Sequence, residues 1–205
     1  MNSVTREKTK KLVLFSVMSA LILVMGFTPI GYIKFMTIEI TFLTIPVVIT
    51  AILLGPYYGA AAGGLFGITS LIQAVSGYSP FGLALFTLNP FYAVLMCIVP
   101  RILIGLLSGY MFLFLKKFDK KSTWSIIVST IFGAIVNTVL FTALFLIFYR
   151  NATIESLSLD LSKLSVFKVI GLLVTTNAVI EIVVCGIVGA AVSKAVMYFI
   201  GGKSK

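Results

Sequence analysis

Six apolar blocks, each close to helical span length, alternate along the chain with short polar or glycine- and proline-rich breaks. Crossing about 30 Å of hydrocarbon takes about 20 apolar residues in a helix. The blocks at about 12–27, 40–54, 57–75, 90–115, 124–148 and 168–200 therefore predict six spans in one membrane domain covering 1–205. Small residues recur at helical spacing inside them. Gly55, Gly59, Gly63 and Gly67 fall every four residues and form a ridge that needs a close helix neighbour. Gly105 and Gly109 make a second such pair, and Ser16 and Ala20 a small-xxx-small step in span 1.

Between the blocks the period changes. Pro29 and Gly31 end span 1. Ile33, Phe35, Thr37 and Glu39 then alternate with Lys34, Met36, Ile38 and Ile40, a weak period of two. That segment is either an ordered cap over a pocket or an interfacial linker. The stretch SGYSPFGLALFTLNP, 76–90, is too apolar for a solvated loop and is expected to tuck against the bundle. Asn89, before Pro90, suits a helix N-cap or a ligand contact. Leu157, Leu159, Leu161 and Leu164 suggest a further interfacial element, helix or strand. Asn151-Ala-Thr153 matches a glycosylation sequon, a short motif frequent by chance.

Composition turns the pattern into a class. Of 205 residues, 60% are hydrophobic and 11% charged, with a mean hydropathy of +1.14, so the chain reads as an all-α integral membrane protein. The net charge of +10 is a topology signal. Arg6, Lys8, Lys10 and Lys11, then Lys116, Lys117, Lys120 and Lys121, then Lys194, Lys203 and Lys205 all fall on one side of a six-span chain. The positive-inside rule then predicts both termini in the cytoplasm, with no polyanion or nucleic-acid site. The basic start runs into span 1 without a small-residue cleavage site, so that span is expected to be its own insertion signal.

Polar residues inside the blocks are the candidate chemistry. An arginine in hydrocarbon costs about 2.5 to more than 10 kcal/mol. Counting about 1.5 Å per residue from Pro90 places Arg101 roughly 16 Å deep, near the midplane. It requires an internal anion, which is Glu181, a ligand carboxylate, or both in turn. Gln73, Asn89, Asn137, Asn177 and Glu181 complete a set at middle to outer depth, and Asn177 and Glu181 share a helix face. One cation, one anion and several amides suit a small polar ligand bearing a carboxylate. The competing reading is a structural Arg101–Glu181 pair braced by the asparagines.

Other chemistries find no residues. Histidine is absent, so neither a Ser-His-Asp set nor a zinc-protease motif exists. Cys97 and Cys185 are the only cysteines and suit packing, not a metal site. The glycine run lacks the Lys-Ser/Thr of a phosphate loop. Neither an enzyme nor a cofactor-binding protein is expected.

The chain resembles the S components of energy-coupling factor vitamin transporters. The turn ILLGPYYGAAAGGLFG looks like that family's span 2–3 junction. The run from GFTPIGYIKF through ITFLTIPVVITAILLGP, TSLIQ, LNP and VPRILIG most resembles the pantothenate-specific branch. The resemblance implies a vitamin-binding subunit of a bacterial plasma membrane that cannot transport alone. A membrane coupling subunit and two cytoplasmic ATPases would complete it. It implies docking to the coupling subunit through Ser16 and Ala20, and a pocket between spans 4–6 covered by 28–39. Other vitamins (folate, riboflavin, a thiamine precursor) stay open. So do a proton-coupled transporter titrating Glu181, which lacks an evident inverted repeat, and a membrane assembly factor, which needs no cavity.

Overall fold

A computed structural model describes residues 3–28, 31–35, 38–119, 122–149, 153–154, 159–160 and 177–201. Helices carry the fold, as expected. They are α1 (Ser3–Gly26), α2 (Thr44–Leu54), α3 (Pro56–Val75), α4 (Pro80–Leu88), α5 (Pro90–Lys116), α6 (Thr123–Tyr149), α7 (Asn177–Val184) and α8 (Ala190–Gly201). A π turn, Cys185–Gly189, joins the last two. Among the described residues, α3, α5, α6 and Thr5–Gly26 of α1 are long and apolar enough to cross a membrane. The stretch 168–176 and the leucines around 157–164, apart from Leu159, lie outside the described residues.

Two small antiparallel hairpins add to the all-helical expectation. The period-2 segment forms β1 (Tyr32–Phe35) and β2 (Ile38–Thr41), with Lys34 opposite Glu39. The second pairs β3 (Thr153–Ile154) with β4 (Leu159–Asp160). β1 is pinned to the bundle by the buried Tyr32, whose hydroxyl lies 3.2 Å from Ser70 Oγ. β2 packs against α7. The block at 40–54 thus divides into the end of a strand and an 11-residue helix. That helix rises only about 16 Å. It lies in the interior, with every residue from Thr44 to Ile52 buried.

The glycine ridge is what joins α3 to α5. A methyl group built on Gly63 would lie 2.0 Å from the Arg101 carbonyl oxygen. On Gly59 it would meet the Gly105 carbonyl at 2.6 Å, and on Gly67 the Cys97 carbonyl at 2.9 Å. The two backbones touch over three turns, and Arg101 sits at the centre of that contact. The turn between α2 and α3 needs a glycine for another reason: Gly55 has φ 106°, which side chains disfavour. Gly63→Ala should therefore force the helices apart and lower stability by about 1–3 kcal/mol. Gly64→Ala, whose methyl would meet Ile102 at an ordinary contact distance of 3.9 Å, should be neutral. Thermal midpoints in detergent check the pair, and equal midpoints would refute the backbone contact.

At the hairpin end the apolar stretch 76–90 carries the helix α4, packed against α3 and α5 as expected. Ser79 caps α4 by accepting the Gly82 amide at 3.1 Å, and Pro80 opens it. Asn89 ends α4 and starts α5, its Oδ1 accepting the amides of Phe91 (3.1 Å) and Tyr92 (3.3 Å). Tyr149 closes the junction: its buried hydroxyl donates towards the carbonyls of Leu85 (3.0 Å) and Asn89 (3.1 Å). Phe141, Phe145 and Tyr149 stack along one face of α6, with Phe81 of α4 beside the first two.

Candidate functional site

Arg101 is 9% exposed on the middle of α5. Its surroundings follow from the residue before it. In a regular helix the amide of residue 100 would donate to the carbonyl of Met96, but Pro100 has no N–H. The helix nevertheless runs on through Pro100. Arg101 Nη1 donates to that same Met96 carbonyl at 2.7 Å. The side chain thus satisfies the acceptor that the proline leaves open. The guanidinium carbon also lies 5.3 Å from the centre of the Phe66 ring and 5.6 Å from that of Phe141. Ring faces attract a cation, more strongly where water is excluded.

These contacts hold the guanidinium without neutralising it. Arg101 Nε is buried and has no hydrogen-bond partner among the described residues. No ion pair among them joins Arg101 to Glu181. Glu181, 1% exposed on α7, is satisfied elsewhere. Its Oε1 accepts from the Thr44 hydroxyl at 2.6 Å and from Asn137 Nδ2 at 2.7 Å. Its Oε2 lies 3.0 Å from the same amide nitrogen. The carboxylate therefore ties α2, α6 and α7 together, and the direct Arg101–Glu181 pair is not formed. Asn137, 6% exposed, gives its amide nitrogen to Glu181, while its Oδ1 is buried without a partner. Asn137 stands one helical turn before Phe141, the residue stacked on Arg101. Two unsatisfied polar atoms, a cationic N–H and an amide oxygen, thus lie on facing helices joined by that ring.

The other sequence candidates divide differently. Gln73 Nε2 donates to the Gly26 carbonyl and fastens α3 to the end of α1. Asn89 is the α5 cap described above. Asn177 opens α7, and its side chain lies outside the described residues. Ser16 and Ala20 are exposed on α1, where Ser16 Oγ donates back to the Leu12 carbonyl at 2.9 Å. Sequence reading missed Thr44, Phe66, Phe141 and the Met96 carbonyl. Only the last had a local signal, since a proline inside a helix always strands the carbonyl four residues earlier. Among the described residues, no three metal-ligating side chains cluster. One described groove, of about 200 Å³ between Thr123–Ile127 and Ala190–Lys194, lies at the far end of α6 from this cluster.

Arg101 is thus a buried cation on a membrane-length helix, without an ion-pair partner among the described residues. The chain belongs to the family described as ECF transporter, substrate-specific component, which matches residues 10–193. Over 113 residues it is 38% identical to the pantothenate transporter PanT of Leuconostoc mesenteroides subsp. mesenteroides. That match spans 53% of this chain and 53% of the relative, so about half of each protein is compared.

Proposed function

We propose that the protein is the pantothenate-binding subunit of an ECF-type importer. The observation that carries this reading is Arg101: a buried cation whose natural partner, Glu181, is bound to Thr44 and Asn137 instead. Pantothenate has one carboxylate, an amide and hydroxyl groups. Its carboxylate would take the guanidinium, whose planar fork suits a carboxylate. The Asn137 oxygen would accept from a ligand hydroxyl or amide N–H. Glu181, Gln73 and Asn89 would hold the frame, with Asn177 at the start of α7. The partial match to the pantothenate transporter supports the choice of vitamin over folate, riboflavin or a thiamine precursor.

The same reading has six spans, both termini in the cytoplasm and a bacterial plasma membrane as the location. Hairpin β1–β2 would cover the outer mouth. Transport would need a coupling subunit and two ATPase subunits. Proteoliposomes test this directly. The purified subunit should bind pantothenate yet accumulate none alone, and should accumulate it when joined by the coupling module and supplied with ATP. Uptake driven by a proton gradient in the subunit alone would overturn the reading in favour of a secondary transporter.

Docking would use α1, whose Ser16 and Ala20 are small, exposed and one turn apart. Close helix approach depends on residue size. Ser16→Trp and Ala20→Trp should each abolish co-purification with the coupling module and leave vitamin binding intact. Normal co-purification of both variants would exclude this face.

A further inference from the structure

We propose that Pro100 is a positioning residue of the binding site: by withholding an amide from the Met96 carbonyl, it orients Arg101 towards the ligand. The inference rests on the reading of Arg101 as the carboxylate-binding group. Its geometry does not. The Met96 carbonyl lacks its helical donor, because residue 100 has no N–H, and accepts from Arg101 Nη1 at 2.7 Å instead. A free arginine has many rotamers, and fixing one costs entropy that a ligand would otherwise have to offset. Here one end of the guanidinium is anchored on its own helix, and its central carbon lies close to the Phe66 and Phe141 rings. Nε is left buried and unpartnered. The anchor consumes one of the five guanidinium donors. The α3 backbone packs closely behind the anchor, since a methyl group on Gly63 would lie 2.0 Å from the Arg101 carbonyl oxygen.

Proline within a helix is ordinarily unfavourable, because it removes a backbone hydrogen bond and crowds the preceding turn. At this position the lost bond is replaced by a side chain. Restoring the amide therefore has opposite effects on two observables. Pro100→Ala gives Met96 a backbone donor that competes with Nη1 for the carbonyl and weakens the anchor. Stability should hold or rise, while carboxylate recognition should fall. A residue present only for packing would move both together.

The test is titration calorimetry on the purified full chain with pantothenate and with pantothenol, the alcohol that lacks the carboxylate. Wild type should prefer pantothenate. In Pro100→Ala that preference should shrink about tenfold, with pantothenol affinity unchanged and the thermal midpoint no lower. Pro100→Val, which also restores the amide but keeps more of the side-chain volume, should behave alike. Arg101→Gln is the reference that separates the two claims. If Arg101→Gln keeps the preference for pantothenate, the reading of the site is wrong. If Arg101→Gln abolishes it while both Pro100 variants retain it, the site stands and the positioning role is refuted. Equal losses for both ligands, with a lowered midpoint in both Pro100 variants, would also refute it by making Pro100 a packing residue.

Discussion

Arg101→Gln should weaken pantothenate binding by about 10- to 150-fold while the protein still inserts and folds. The magnitude is that of one charge-assisted hydrogen-bond set, about 1.5–3 kcal/mol, lost from a site that excludes water. Arg101→Lys should fall between, keeping the charge and losing the planar fork. Folding should survive because, among the described residues, Arg101 makes no ion pair whose loss would strand a carboxylate. Glu181 keeps its bonds to Thr44 and Asn137 in the variant. For the same reason, adding Glu181→Gln should not restore binding. Calorimetry with the single and double variants measures this. Wild-type affinity in Arg101→Gln, or recovery in the double variant, would return Arg101 to a purely structural role.

Glu181→Leu should be the most destabilising single change in this region. It removes the acceptor shared by the Thr44 hydroxyl and the Asn137 amide, both buried. An unpaired buried donor costs about 1–3 kcal/mol, so two of them should cost about 2 kcal/mol or more. The loss should also loosen α7 from α2 and α6, since these bonds join the three. Glu181→Gln should be far milder. Its amide oxygen can accept both donors. Thermal midpoints of the two variants give the comparison. If Leu and Gln are tolerated alike, the carboxylate is not a structural tie, and a role in coupling to protons gains ground.

What could be read from sequence follows a simple division. Features set by short-range spacing were legible. The four-residue glycine interval requires a close helix neighbour, which proves to be α5, and the period of two at 33–40, open between an ordered cap and an interfacial linker, belongs to the hairpin strands. Arg101 stood out because its cost in hydrocarbon does not depend on the neighbours. Features set by long-range pairing were not legible. Thr44 meets Glu181 across 137 positions, and nothing local to either marks the other. Charge alone offers Glu181 as one partner for Arg101, beside a ligand carboxylate, whereas the fold satisfies Glu181 with neutral donors. Gln73 and Asn89 looked like site residues because amides in apolar blocks need partners. They find them in backbone groups close at hand, a carbonyl at the end of α1 and the first amides of α5. The shortness of α2 was hidden because a strand and a buried helix together have the length and apolarity of one span.

The most direct measurement is native mass spectrometry of the purified wild-type subunit, released gently from detergent, with pantothenate and pantothenol offered in competition. The predicted result is a one-to-one complex carrying pantothenate, with pantothenol excluded in wild type and no longer excluded in Arg101→Gln. A wild-type complex that takes pantothenol as readily as pantothenate, or that retains a vitamin without a carboxylate in preference to both, would contradict the assignment of Arg101 as the group that selects the ligand.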